Sequence, residues 1–159
     1  MMPNAKVRLL IVDDEPSIRM SLSQILIASG NSVRSAVDGF SALTEIRQEA
    51  PEILLSDLYM PGMSGFELLS VVRLRFPAIQ VIAMSGAFSG DGVPPGVAAD
   101  AFYEKGTRVG SLLQIVKTMT EMKRRRLSND PIRRRLSGFH GTGMTLPERN
   151  TSCSPVPSA

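Results

Sequence analysis

The sequence is poor in the residues that build covalent cross-links, soft-metal sites and membrane spans. It has one cysteine and one histidine, Cys153 and His140, and no tryptophan. A single thiol forms no internal disulfide, and one cysteine with one histidine does not supply the ligands of a structural zinc site. No apolar run approaches the roughly 20 residues that cross a bilayer. The N-terminus also lacks the apolar core of a secretory signal. We therefore expect a cytoplasmic protein.

Positive charge is scarce before residue 123 and abundant after it. Residues 1–122 hold 10 Lys and Arg against 13 Asp and Glu, whereas residues 123–159 hold 8 against 2. The net charge of +3 therefore combines −3 in the first segment with +6 in the second. The second segment repeats RRRLS at 124–128 and 133–137 and has few large apolar residues, which predicts a basic, disordered tail over 123–159. An anionic partner for this tail stays open.

Apolar patterns before the tail alternate between strand-like and helix-like segments. The predicted strands are 7–12, 32–37, 53–56, 79–84 and 99–103, and the predicted helices are 16–30, 40–49, 65–74 and 108–123. The second helix carries Phe40, Leu43 and Ile46 on one stripe. This alternation predicts an α/β domain over 7–122 with a doubly wound, five-stranded parallel sheet. The common strand order for five such units is 2-1-3-4-5.

One connection departs from this regular alternation. Between the fourth and fifth strands, the segment GAFSGDGVPPGVAAD contains four glycines and two prolines. Glycine and proline disfavour helix interiors by about 1 and 3 kcal/mol each. We therefore predict a shortened or irregular fourth helix.

Three carboxylates lie at the ends of two predicted strands. Asp13 and Asp14 come directly after the first strand, and Asp57 comes directly after the third. These strands are neighbours in the predicted order, so we expect the carboxylates to converge at the carboxyl edge of the sheet. Converging carboxylates repel one another, and a hard cation such as Mg²⁺ relieves the repulsion. Such a set suits phosphoryl transfer to a carboxylate.

Two further polar residues end the later strands. Ser85 ends the fourth strand, where its hydroxyl would donate to a phosphoryl oxygen, and Lys105 ends the fifth. The Lys105 ammonium would pair with a carboxylate or a phosphate there. Alone, each residue is as readily a capping serine or a surface lysine. Their common edge with three carboxylates favours a shared chemical role.

These polar residues lie in segments that resemble a known family. LLIVDDEP, AVDGFSAL, ILLSDLYMPGMSGFELL, VIAMSG and AFYEKG are similar, in order and spacing, to the signature blocks of bacterial response-regulator receivers. The resemblance covers residues 7–122 and implies a flavodoxin-like fold. It implies that Asp57 accepts a phosphoryl group from a sensor histidine kinase or a phosphotransfer protein, with Ser85 and Lys105 assisting.

The same resemblance implies a metal site and a switch. The ligands of Mg²⁺ would be Asp13, Asp14, Asp57 and the backbone carbonyl of Tyr59. Ser85 and Phe102 would form the family's conformational switch pair. A receiver is not an enzyme in the ordinary sense, since at most it catalyses its own phosphorylation and dephosphorylation. Gly106 follows Lys105 where the family usually has proline.

Other readings of the sequence stay open. No helix-turn-helix pattern follows the predicted domain, so we expect no DNA-binding domain and an output through a downstream protein. Homodimerisation is a further open point. The chain is alternatively a degenerate receiver that acts as a phosphorylation-independent interaction module. It is also alternatively a phosphatase-type enzyme, although Leu58 and Tyr59 stand where a general acid would follow Asp57.

Overall fold

The computed structural model of the chain describes residues 6–88 and 92–132. Strands and helices alternate along this part of the chain. In order they are β1 (Arg8–Val12), α1 (Pro16–Ala28), β2 (Ser32–Ala36), α2 (Gly39–Gln48), β3 (Ile53–Asp57), α3 (Gly65–Arg75), β4 (Gln80–Ser85), β5 (Ala101–Glu104) and α4 (Val109–Ser128). None of the described helices combines the length and apolar character that a membrane span requires.

The strands form one parallel sheet in the order β2-β1-β3-β4-β5. This arrangement confirms the predicted doubly wound α/β fold and its strand order. Val12 of β1 pairs with Ser56 of β3, and Asp57 of β3 pairs with Met84 of β4. The register therefore aligns the carboxyl ends of the central strands at one edge of the sheet.

Apolar side chains cover both faces of the sheet. Strand β3 is buried along its whole length, with Leu54 on one face and Leu55 on the other. Helices α2 and α3 cover the face of Leu54, where Ile46 joins the core. Helices α1 and α4 cover the face of Leu55, with Leu26 and Leu112 in the core. A strand that is apolar on both faces needs helices on both sides of the sheet.

The observed element ends lie within two residues of the predicted ones except at the end of α4, and two of the differences concern the site and the tail. Asp57 is the last residue of β3 instead of the first residue after it. Helix α4 continues past Lys123 to Ser128, because the intervening lysine, arginines and leucine favour helix. Pro131 disfavours further extension. The predicted boundary between residues 122 and 123 thus falls inside a helix, and the tail from 133 onward lies outside the described residues.

The connection between β4 and β5 contains no helix in its described residues, 86–88 and 92–100. Over these described residues, this confirms the prediction that the segment forms no regular helix. Gly92 and Gly96 have φ angles of +114° and +81°, which glycine adopts readily because it has no Cβ. The connection ends at Asp100, whose carboxylate accepts the Val81 amide at 2.8 Å. The same carboxylate pairs with Arg73 at 3.1 Å, so it fixes the return of the chain to the sheet.

Candidate functional site

The predicted carboxylates meet at the carboxyl edge of the sheet. Asp13 follows β1, and Asp57 ends the neighbouring strand β3. One oxygen atom from each of Asp13, Asp14 and Asp57 lies within 4.8 Å of the others. Asp13 and Asp57 are buried, whereas Asp14 is exposed. This separation and this ligand chemistry suit a hard divalent cation.

Asp13 is held by contacts from the start of helix α1. Its Oδ1 accepts the backbone amide of Glu15 at 2.9 Å. Its carbonyl oxygen accepts the guanidinium of Arg19 at 2.7 Å. Neither residue was predicted as part of the site: Arg19 lies outside the signature blocks, and Glu15, although it lies within LLIVDDEP, acts through its backbone amide, which the residue type does not indicate. Together they fix the main chain and the carboxylate of Asp13.

The lysine predicted for the site reaches two of the carboxylates. Lys105 Nζ lies 2.7 Å from Asp13 Oδ2 and 3.0 Å from Asp57 Oδ2. Its backbone amide donates to the carbonyl of Ser85 at 3.0 Å, which aligns the end of β5 with the end of β4. Gly106 follows with a φ of +85°. The turn after the lysine therefore uses a conformation that suits glycine and not proline.

Burial and charge act in opposite directions on this cluster. Burial raises the pKa of Asp57, and Lys105 lowers it without cancelling the rise, to which the Asp13 charge also contributes. Burial alone would lower the pKa of Lys105, but its hydrogen bonds and ion pairs with both carboxylates outweigh burial and raise it. The pKa values of Asp57 and Lys105 can both be raised because one ammonium pairs with two carboxylates. The cluster therefore holds a protonated lysine within an excess of negative charge.

Ser85 is fully buried at the end of β4. It lies one residue beyond Met84, the residue that pairs with Asp57 across the sheet. Its hydroxyl oxygen accepts the Ala87 amide at 3.0 Å. Accepting this bond leaves the hydroxyl proton free for another acceptor. Its donation to a phosphoryl oxygen stays a prediction.

Four aromatic side chains form a continuous row beside the carboxylates. The Tyr59 ring meets Phe66 edge-on at 5.7 Å and stacks on Phe88 at 6.1 Å. Phe88 in turn meets Phe102 edge-on at 6.4 Å. The amide of Tyr59 donates to Asp57 Oδ1 at 3.4 Å. The predicted switch aromatic is therefore connected to the loop after Asp57 through Phe88, which the sequence analysis missed because its Gly/Pro-rich segment has no periodic pattern.

The first residue of α3 packs directly on the backbone of the site. A Cβ at Gly65 would lie 1.9 Å from the carbonyl oxygen of Asp57, so no other residue fits there. The Gly65 amide donates to the carbonyl of Leu58 at 3.0 Å. Ser64 and Glu67 form a capping box at the same helix end. These contacts fix the loop that connects Asp57 to α3.

Residues 9–117 match the family model of the response regulator receiver domain. Among curated proteins, the DNA-binding transcriptional regulator NtrC of Klebsiella pneumoniae is 40% identical over 75 residues, which cover 47% of this chain and 16% of that protein. The response regulator protein FleR of Pseudomonas aeruginosa is 33% identical over 78 residues, 49% of this chain and 16% of that protein. The matched region thus spans about one sixth of the length of these relatives.

Solved structures of small proteins match over nearly their whole length. The chemotaxis protein CheY4 of Vibrio cholerae superposes with a TM-score of 0.64 and 27% identity, covering 72% of this chain and 99% of that one. The response regulator TrrA of Thermotoga maritima, solved in complex with Mg²⁺ and BeF, has a TM-score of 0.65 and 30% identity. That match covers 71% of this chain and 98% of TrrA.

Proposed function

This chain belongs to the response regulator receiver family of phosphorelay signalling domains, and we propose that Asp57 is its phosphoacceptor. The position of Asp57 supports this proposal best, because it is a buried carboxylate beside both a second carboxylate and an ammonium. Its Oδ2 faces Lys105, and its Oδ1 accepts the amide of Tyr59. The acceptor is thus held in one orientation before a donor arrives.

The donor that family membership implies is a histidine kinase or a phosphotransfer protein. In the proposed step, a carboxylate oxygen of Asp57 attacks the phosphorus of a phosphohistidine. The new P–O bond forms as the P–N bond breaks, and the histidine nitrogen keeps the electron pair. Lys105 then shifts its ammonium from the carboxylate to the phosphoryl oxygens, and the Ser85 hydroxyl donates to one of them. We place this exchange in the cytoplasm.

The carboxylates of the site fit Mg²⁺, as their grouping and oxygen chemistry indicate. Asp13, Asp14 and Asp57 would hold the ion, with the backbone carbonyl of Tyr59 as a further oxygen. When bound, the ion neutralises charge on the phosphoryl group in transit. Asp13 is already oriented for this role by the amide of Glu15.

The site gives less support to the two alternatives. Leu58 has no ionisable group and Tyr59 has no carboxyl, so neither supplies a carboxylic acid to a leaving alcohol directly after Asp57. That disfavours a phosphatase-type enzyme. The complete acidic set with Lys105 disfavours a degenerate receiver. We propose instead that phosphorylation changes contacts with a downstream protein.

Phosphorylation by a small acyl phosphate tests the proposal. The full chain, Asp57→Asn and Asp100→Asn are incubated with the donor and Mg²⁺, and intact mass is measured at neutral pH. Asp100 is a matched control because it lies at the start of β5 and pairs with Arg73, away from the carboxylate cluster. We expect one phosphoryl adduct on the native chain and on Asp100→Asn, and none on Asp57→Asn. Chelation of Mg²⁺ should abolish both adducts.

Two results would contradict this assignment. An adduct that persists in Asp57→Asn would place the acceptor at another residue. A native chain that forms no adduct, although circular dichroism shows its fold intact, would support the constitutive interaction module. Circular dichroism of each variant therefore accompanies the mass measurement.

A further inference from the structure

Helices α2 and α3 lie on the same face of the sheet, and an apolar groove runs between them. Both helices begin at the carboxyl edge, because each returns from the end of its preceding strand. Phe40 and Met63 line the near end of the groove, beside that edge. Leu74 and Phe76 line the far end, and Val71 contributes to both. The phosphoacceptor site uses none of these side chains.

Two apolar side chains of the groove are largely exposed to solvent. Phe40 is 65% exposed and Leu74 is 79% exposed. The near end is a shallow, open depression, and Leu74 stands at the rim of the far end. Between the two exposed residues, the apolar side chains of Leu43, Met63, Val71 and Phe76 are partly exposed. Such a contiguous set marks a surface that another molecule covers.

The two ends of the groove carry opposite charges. Glu67 lies in the first turn of α3, at the near end. Arg47 and Arg75 lie in the last turns of α2 and α3, at the far end. Within residues 6–88 and 92–132, neither arginine forms an ion pair. The groove is therefore negative at one end, positive at the other and apolar between them.

We propose that this groove is an interface between two copies of the chain, related by a two-fold axis near Val71. Such an axis places the near end of one copy against the far end of the other. Leu74 of each copy then packs over the shallow depression beside Phe40 of the other copy. Arg75 of each copy faces Glu67 of the other. One surface thus supplies both exposed apolar side chains and both charges.

A second copy suits this surface better than an unrelated protein does, because a two-fold pair satisfies every one of these features with residues already present. The groove is short, so the interface is at the low end of the size range for specific complexes. We expect a dissociation constant of about 100 µM, typical of a transient contact. The proposal does not depend on phosphorylation of Asp57, and the two fail independently.

Sedimentation equilibrium of the full chain over a range of concentrations tests the interface. We expect the average mass to rise toward that of a dimer near about 100 µM protein. Leu74→Glu should lower the association constant at least about tenfold, because the interface would bury the charge against apolar side chains. Met20→Glu is the matched control: Met20 is a 63% exposed apolar residue on α1, which covers the opposite face of the sheet. It should associate as the native chain does.

Charge reversal distinguishes this two-fold pairing from any other self-association. Glu67→Lys and Arg75→Glu should each weaken association, because each places like charges together across the axis. The double variant Glu67→Lys/Arg75→Glu should regain it, since the pair is restored with reversed signs. Glu67→Lys and the double variant lose the same helix cap, so they are matched in that respect. A native chain that stays monomeric, a Leu74→Glu variant that associates normally, or a double variant without recovery would each overturn the proposal.

Discussion

Replacement of Lys105 by methionine removes the ammonium that Asp13 and Asp57 share. Its Nζ lies 2.7 and 3.0 Å from the two carboxylate oxygens. At an effective dielectric constant of about 20, one such pair amounts to about 6 kcal/mol of attraction before desolvation is subtracted. Breaking a buried pair typically costs about 3–5 kcal/mol. The lysine side chain is still 18% exposed, so we expect a loss of about 3 kcal/mol in the free energy of unfolding near neutral pH.

Urea unfolding followed by circular dichroism measures this loss. With a slope of about 2 kcal/mol per molar urea, the midpoint should fall by about 1.5 M. Lys117→Met is the control, because Lys117 is an exposed lysine on α4. The deficit should shrink as the pH is lowered from neutral, since the unpaired Asp57, whose pKa burial already raises, takes up a proton in the folded variant at a higher pH than in the unfolded chain. An unchanged midpoint, or a deficit that grows on acidification, would refute the reasoning.

Two other substitutions test the close packing of α3 against the backbone of Asp57 and the N-terminal cap of α2. Gly65→Ala should cost more than about 3 kcal/mol, because its Cβ would overlap the carbonyl of Asp57. Gly110→Ala, in open space on α4, should be neutral or stabilising by up to about 1 kcal/mol. Urea unfolding reports both, and equal losses would contradict the steric argument. Asp38 accepts the Ser41 amide, which lowers the pKa of its carboxyl. Asp38→Asn should therefore lower the urea midpoint near neutral pH. The difference should vanish as pH falls through that lowered pKa, and a pH-independent difference would contradict the role of the charge.

The strand ends explain why the grouping of the carboxylates with Lys105 was predictable from the sequence. Asp13, Asp57, Ser85 and Lys105 each lie within one residue of a strand end. A parallel sheet gathers its carboxyl ends at one edge, so the apolar runs were enough to predict which polar residues meet. Distances, burial and ion pairs required the structure, because they depend on side-chain packing between strands.

Contacts between distant segments could not be predicted from the sequence, because no local pattern encodes them. The row from Tyr59 through Phe88 to Phe102 joins three separate segments of the chain. Phe40 belongs to the apolar stripe of α2, yet it is exposed, whereas Ile46 on the same stripe is buried. Periodicity gives the face of a helix but not how far along the helix the sheet covers it. Helix α4 extended past Lys123 because arginine favours helix even where a run of charge suggests a tail.

The position of Lys105 along the chain has a consequence for how the domain assembles. The carboxylates come from β1 and β3, whereas their shared cation follows the last strand of the sheet. A nascent chain that has formed only the first strands brings like charges together without this ammonium. Partial assemblies therefore carry a larger electrostatic cost than the complete sheet does. Docking of β5 reduces this cost, which disfavours half-formed sheets and makes folding more nearly all-or-none.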